Sequence, residues 1–294
     1  MPTPWTDGRS IFVAYGNGVL ARHEASGALT WSTWLGAASD TFRGWHVDGG
    51  PTSTASPRLV DGTLLSFHGS VRGVDPATGA VRWTGPEYHD FGTPTIARVA
   101  GEAFVLTPDG AAIRVRDGRV VAKGLGDVYY VGPVADGDRV FFVGGRTAGD
   151  MAEQGVTARA LRLTVSGDTL KATVLWERPM PELQRVFAQP LFVDGAVWVV
   201  QEAGRVTVLD AATGASAATI ELPARPGVGF YSSPVSAAGT VWIGHQSGVM
   251  ALVQRGPSGL TFVDARVGAL RSSPVFDRAT MWVRTLESVS AYGP

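Results

Sequence analysis

Seven short apolar runs recur along the chain: Ile11–Tyr15, Leu64–Phe67, Ala103–Leu106, Val140–Val143, Val197–Val200, Val241–Ile243 and Met281–Val283. Each alternates or is rich in β-branched and aromatic residues, and most follow a polar turn such as Asp7-Gly8, Asp61-Gly62, Asp136-Gly137 or Asp194-Gly195. Runs of this length bounded by Asp-Gly steps predict strands entered through tight hairpins. No 3.6-residue period joins them, which excludes βαβ units. Upstream of each hairpin stands a proline, at positions 4, 57, 94, 133, 190, 234 and 274, about 45 residues apart on average. A period of 40–50 residues is that of a four-stranded propeller blade.

A second polar punctuation completes each repeat. Val74–Trp83 (VDPATGAVRW) ends one strand, turns, and starts the next. Asp75 can accept from the turn amides, Gly79 supplies the positive φ, and Trp83 follows four residues later. The pattern returns at Arg22–Trp31 and, with Ala218 in place of the tryptophan, at Leu209–Ala218. The third repeat has only Asp117-Gly118, and the sixth has Gly256–Gly259.

The expected fold is therefore all-β: a seven-bladed β-propeller of four-stranded antiparallel blades in one domain, residues 1–294. Calling the strands of a blade A to D, the blades fall near 1–36, 51–86, 92–125, 128–180, 185–223, 230–266 and 270–294. The last blade lacks a D strand. It is read either as a three-stranded blade or as part of a longer, eight-bladed parent. Either way Ser288–Tyr292 should present an edge open to strand pairing. Trp198, Trp242 and Trp282 share one B-strand position, taken by Phe12, Phe104 and Phe142 elsewhere, and should pack between blades. Trp31, Trp83 and Trp176 lie on D strands and should pack over the neighbouring turn.

Composition narrows the chemistry. Of 294 residues, 45% are hydrophobic and 17% charged, with a formal net charge of −1. Without basic runs, a nucleic-acid partner is not expected, and no apolar stretch is long enough to span a membrane. The start of the chain has no secretory signal pattern. There is no cysteine, so neither disulfides nor thiolate chemistry is available. Lys123 and Lys171 are the only lysines. No nucleophile elbow, phosphate loop or metal-binding spacing occurs, and no catalytic residue is assigned.

The Asp-x-x-Thr-Gly-x-x-x-Trp turn resembles the tryptophan-docking motif of the PQQ-like β-propeller superfamily, and the resemblance runs through the whole chain. It implies the propeller, and a bacterial, exported or periplasmic setting. It leaves activity open, because that superfamily contains quinoprotein dehydrogenases as well as a scaffold lipoprotein of outer-membrane assembly. In quinoprotein alcohol dehydrogenases the quinone is held by a vicinal disulfide and a stacking tryptophan, with calcium on Glu, Asn and Asp. This sequence has no cysteine, and Asn17 is its only asparagine. No cofactor is expected on that ground, PQQ with calcium being the alternative.

Propeller winding places D–A and B–C loops on one face. That face receives Arg43, Trp45, His46 and Asp48 from the longest loop, then His68, Tyr88, His89, Asp90 and Tyr129. Arg185, Tyr231, His245 and Arg271 complete the set. These are candidate ligand-binding residues for a small polar ligand or a protein segment. The expected function is a non-enzymatic ligand-binding or interaction scaffold. The alternatives are a quinoprotein-like oxidoreductase, or carbohydrate recognition or cleavage, with Trp45, Tyr88 and Tyr231 as stacking platforms. Asp90, Asp127 and Glu202 are the carboxylates available for the latter.

Overall fold

The structure is a computed structural model that describes residues 2–36, 55–88, 91–147, 153–183, 185–223, 229–268, 272–285 and 287–293. Among them every regular element is a strand, and strands adjacent in sequence pair antiparallel in seven separate sheets. The first sheet holds β1 (Trp5–Thr6), β2 (Ser10–Ala14), β3 (Val19–Glu24) and β4 (Leu29–Trp34). The second holds β5 (Arg58–Val60), β6 (Thr63–Ser66), β7 (Ser70–Val74) and β8 (Val81–Glu87). The third is β9 (Thr95–Val99), β10 (Glu102–Leu106), β11 (Ala112–Arg114) and β12 (Val120–Ala122). The fourth is β13 (Val134–Asp136), β14 (Arg139–Thr147), β15 (Glu153–Ser166) and β16 (Thr169–Pro179). The fifth is β17 (Leu191–Val193), β18 (Ala196–Val200), β19 (Arg205–Asp210) and β20 (Ser216–Glu221). The sixth is β21 (Val235–Ala237), β22 (Thr240–His245), β23 (Val249–Gly256) and β24 (Gly259–Arg266). The seventh has three strands, β25 (Val275–Asp277), β26 (Thr280–Arg284) and β27 (Val289–Tyr292). The fold is thus a seven-bladed β-propeller, as the repeat period requires.

The chain divides into two compact units: Met1–Val140 with Arg162–Thr173, and Phe141–Leu161 with Val174–Pro294. Within each, neighbouring sheets bury facing apolar sides. Leu65 and Val71 of the second sheet pack with Val105 and Ile113 of the third. Trp198 and Val208 of the fifth pack with Ile243 and Val253 of the sixth. Several B strands are covered on both faces: all four residues of β6 and all five of β18 are buried.

The A–B hairpins adopt the left-handed turn that suits two-residue loops. Asp61 (φ 47°) and Gly62 (φ 71°) form one, Asp194 (φ 49°) and Gly195 (φ 70°) another. Ala100 (φ 52°) and Ala238 (φ 49°) occupy the same position as those aspartates, without a side chain suited to positive φ. Ala100→Asn and Ala238→Asn should each raise stability by roughly 0.5–1 kcal/mol. An unchanged urea midpoint in both variants would count against this reading.

The D-strand tryptophans dock as the sequence predicts. Trp31 Nε1 donates to Pro76 O at 3.1 Å, Trp83 Nε1 to Val115 O at 3.0 Å, and Trp176 Nε1 to Ala211 O at 3.0 Å. Each ring lies on the glycine of the next turn: a Cβ on Gly79, Gly118 or Gly214 would come within 2.5–2.7 Å of Cε3 of Trp31, Trp83 or Trp176, respectively. Gly73 makes room for its own sheet's Trp83, since a Cβ there would meet that ring at 2.2 Å.

One sequence assignment is corrected. In the fourth sheet Phe141, not Phe142, faces the next sheet, stacking on Phe192 at 5.5 Å and meeting Trp176 at 6.2 Å. Two phenylalanines in succession point to opposite faces of a strand, and only contact with the neighbouring sheet separates them.

The third sheet lacks a D-strand tryptophan, and its turn is built differently. Arg114 stands where Asp75 and Asp210 stand: its N–H bonds Arg119 O, and its carbonyl accepts from Gly118 N. The carboxylate is supplied from within the turn by Asp117, which takes Arg114 Nη2 at 2.6 Å. Arg114 Nη1 and Arg119 Nη1 then reach Asp168 at 3.2 and 3.3 Å, linking the third sheet to the fourth sheet's β15–β16 turn by charge instead of an indole.

Candidate functional site

In the second unit the D–A and B–C loops converge on one side-chain cluster. Arg185 precedes β17, Glu202 follows β18, and Tyr231 precedes β21. The Glu202 carboxylate takes Arg185 Nε at 2.5 Å and Nη2 at 3.3 Å, and accepts the Tyr231 hydroxyl at 2.7 Å. Tyr231 stacks on Phe187 with centroids 5.2 Å apart and planes at 16°. The Arg185 guanidinium lies 5.4 Å from the Phe187 centroid, within cation–π range.

The backbone is fixed with equal care. Glu202 N donates to Arg185 O at 3.0 Å, and Phe230 N to Glu202 O at 3.1 Å. Gly229 lies so close that a Cβ there would meet Glu202 at 2.3 Å. Arg185 holds φ 53°, the only non-glycine residue with positive φ outside the A–B hairpins among the described residues. Strain of this kind persists only where surrounding contacts over-determine it. Its side chain is nevertheless 59% exposed, while that of Glu202 is 21% exposed. The result is an outward-facing guanidinium paired to Glu202 above an aromatic ring.

The remaining candidates divide into two groups. Arg43, Trp45, His46, Asp48, His89, Asp90 and Arg271 lie outside the described residues. His68, Tyr88, Tyr129 and His245 are buried. His68 Nε2 lies 3.3 Å from Gly36 O, which makes it the protonated nitrogen. The Tyr88 hydroxyl donates to Gly92 O, and Tyr129 packs edge-on against Tyr130 at 4.9 Å. His245 Nδ1 accepts from Ser247 N at 3.1 Å, and its ring meets Phe230 edge-on at 4.7 Å. Arg185 and Tyr231 are thus the described candidates brought together at the surface. Glu202 and Phe187 complete their site; only the carboxylate was visible as a candidate.

No group of three His, Asp or Glu side chains among the described residues is placed to hold a metal ion. Asn17, the one asparagine, caps the β2–β3 turn by accepting from Val19 N at 3.2 Å. The described residues therefore do not fit the Glu, Asn and Asp calcium set of a quinoprotein. On the side of the A–B and C–D turns, a cleft of about 460 Å³ is lined by Asp61, Arg82, Glu102, Arg114 and Arg116. Its charges are matched: Asp61 by Arg98, Arg82 by Asp75, Arg114 by Asp117, and Arg116 by Glu102. No helix among the described residues is long and apolar enough to cross a membrane.

Fold and docked turns define a propeller of tryptophan-docked blades. Residues 68–291 match the family described as outer membrane protein assembly factor BamB, and the chain belongs to that PQQ-like propeller family. Among solved structures it resembles BamB from Moraxella catarrhalis, with TM-score 0.55 and 14% identity over 98% of this chain and 95% of that one. It also resembles the computationally designed Ika8 protein, with TM-score 0.53 and 10% identity over 99% and 95% of the two chains. U3-55K aligns with TM-score 0.57 and 15% identity, over 94% of this chain and 84% of that one. At such identities the shared property is the fold. No curated protein matches the sequence.

Proposed function

We propose that this chain is a non-enzymatic interaction scaffold that holds a polypeptide segment on its D–A and B–C loops, anchored in the second unit by Arg185 and Tyr231. The observation that carries the reading is the Arg185 guanidinium, exposed yet pinned by Glu202, Phe187 and a left-handed backbone. Arginine and tyrosine dominate binding energy at protein interfaces, and a side chain already ordered loses little entropy when a partner arrives. The family's description as an outer membrane protein assembly factor agrees with a polypeptide partner.

The test is Arg185→Gly, which removes the guanidinium but suits the positive φ. Immobilised peptides spanning the strands of an outer-membrane β-barrel serve as probes. The native protein should retain a subset of them, and the variant should bind these roughly 10- to 30-fold more weakly. Failure of the native protein to bind any peptide, or equal binding by the variant, would defeat the proposal.

A further inference from the structure

One register row of the second sheet departs from its counterparts in other blades. Ser66 of β6 pairs with Arg72 of β7, one step beyond the row of Leu65, Gly73 and Trp83. In the same place the first sheet pairs Val13 with Ala21, and the third Val105 with Ile113. The fifth pairs Val199 with Thr207, and the sixth Ile243 with Ala251. None of these pairs carries a charge. Residues two apart on a strand share a face, so Ser66 and Arg72 lie on the face of Leu64 and Val74, which pack against Phe12, Leu20 and Leu35 of the first sheet. Both sheets belong to the first unit. A serine and an arginine thus enter a sheet-to-sheet contact that elsewhere is apolar or neutral.

Neither side chain is satisfied by the protein. Ser66 is 1% exposed, and its hydroxyl has no hydrogen-bond partner. Arg72 Nη1 donates to His68 O, which leaves the Nε–Nη2 edge of the guanidinium without an acceptor among the described residues. No carboxylate offsets its charge: burial alone acts on this guanidinium, loosening its hold on its proton. Arg114 shows the contrast, since its buried guanidinium is taken by Asp117 and Asp168. A buried hydroxyl and a desolvated cation each cost stability when unmatched. Both are donors here, and one anion satisfies both. Beyond His68 the junction is closed, because His68 Nε2 lies 3.3 Å from Gly36 O and a Cβ on Gly18 would come within 2.8 Å of that nitrogen. Arg72 is the half-buried member of the pair, so the opening lies on its side.

We propose that Arg72 and Ser66 form a binding site for a small carboxylate anion between the first and second sheets. The carboxylate accepts two parallel N–H bonds from Nε and Nη2 of Arg72 and a third bond from the Ser66 hydroxyl. That edge of a guanidinium matches the plane and spacing of a carboxylate, a match that a spherical halide does not make. The closed wall at His68 and Gly18 limits the ligand to a short acid. The anion brings to Arg72 the counter-charge that Asp117 brings to Arg114.

Acetate is the probe. Urea unfolding of the native chain is followed at about pH 7.5, where acetate is ionised, while sodium acetate replaces sodium chloride at fixed ionic strength. The midpoint should rise once acetate exceeds an apparent Kd of about 1–10 mM. Arg72→Lys, which keeps the charge but not the fork, and Ser66→Ala should each weaken that apparent affinity about tenfold or more. In chloride alone Ser66→Ala should leave the midpoint equal to that of the native chain or higher, because it deletes a hydroxyl that has no partner until the anion binds. This comparison separates lost binding from lost folding. A midpoint indifferent to the exchange of salts, an equal response to sodium phosphate, an acetate response retained in both variants, or a lower midpoint for Ser66→Ala in chloride would each overturn the proposal.

Discussion

Trp176→Ala is expected to lower unfolding free energy by about 3–5 kcal/mol. The ring is 9% exposed, donates to Ala211 O at 3.0 Å, and packs between Phe141 and the Gly214 backbone. Truncation removes an aromatic side chain whose apolar area faces three partners, leaves the Ala211 carbonyl without its donor, and opens a cavity that a β-turn cannot collapse to fill. Trp176→Phe separates these contributions. It keeps most of the area but removes the N–H, so the expected loss is about 1–2 kcal/mol. The measurement is urea unfolding, compared at matched slope so that the midpoint reports stability alone. A loss below about 1 kcal/mol for the alanine variant would mean that docking decorates the blade junction without holding it. The complementary change is Gly214→Ala, where a Cβ would meet the same ring at 2.5 Å with φ at 71°.

The architecture was legible because its determinants are local. Proline and Asp-Gly positions mark hairpins whose geometry depends on backbone dihedrals alone, and the Asp75–Trp83 spacing encodes a contact between one D strand and the next turn. The sequence therefore located Trp31, Trp83 and Trp176 on their turns. Phe141 and Phe142 could not be told apart, because adjacent strand residues differ only in the face they meet. The Arg114 turn was unreadable for a related reason: it performs the Asp75 role with opposite charge, and its second partner, Asp168, lies 54 residues away. At the candidate site, loop assignment brought Arg185 and Tyr231 to one face. Glu202 as their common acceptor, and Phe187 as the ring beneath Arg185, are tertiary facts without a sequence signal. His68, Tyr88, Tyr129 and His245 show another limit: all four are buried, and a loop position in the sequence does not say how deep a side chain will lie.

The substitution of charge for indole in the third blade carries its own consequence, seen in the response to acid. Arg114 is 4% exposed and its guanidinium is shared by Asp117 and Asp168. The hydrogen bond from Arg114 holds the Asp117 carboxyl below the usual carboxylate range and raises the affinity of Arg114 for its own proton. Asp168 is lowered by Arg114 first and Arg119 second. A carboxylate depressed in the folded state contributes stability that is fully present above its unfolded pKa, near 3.9, and is lost as pH falls through the folded value. Arg114→Met should cost roughly 2–4 kcal/mol at neutral pH, because Asp117 keeps its partly buried position and loses its principal partner. The variant should also lose part of the acid sensitivity: below pH 4 the native protein's stability falls as Asp117 and Asp168 take up protons, and the variant's falls less steeply. Parallel pH profiles for the two proteins would show that the pair contributes nothing beyond packing, and that the third blade is held to the fourth by its apolar contacts alone.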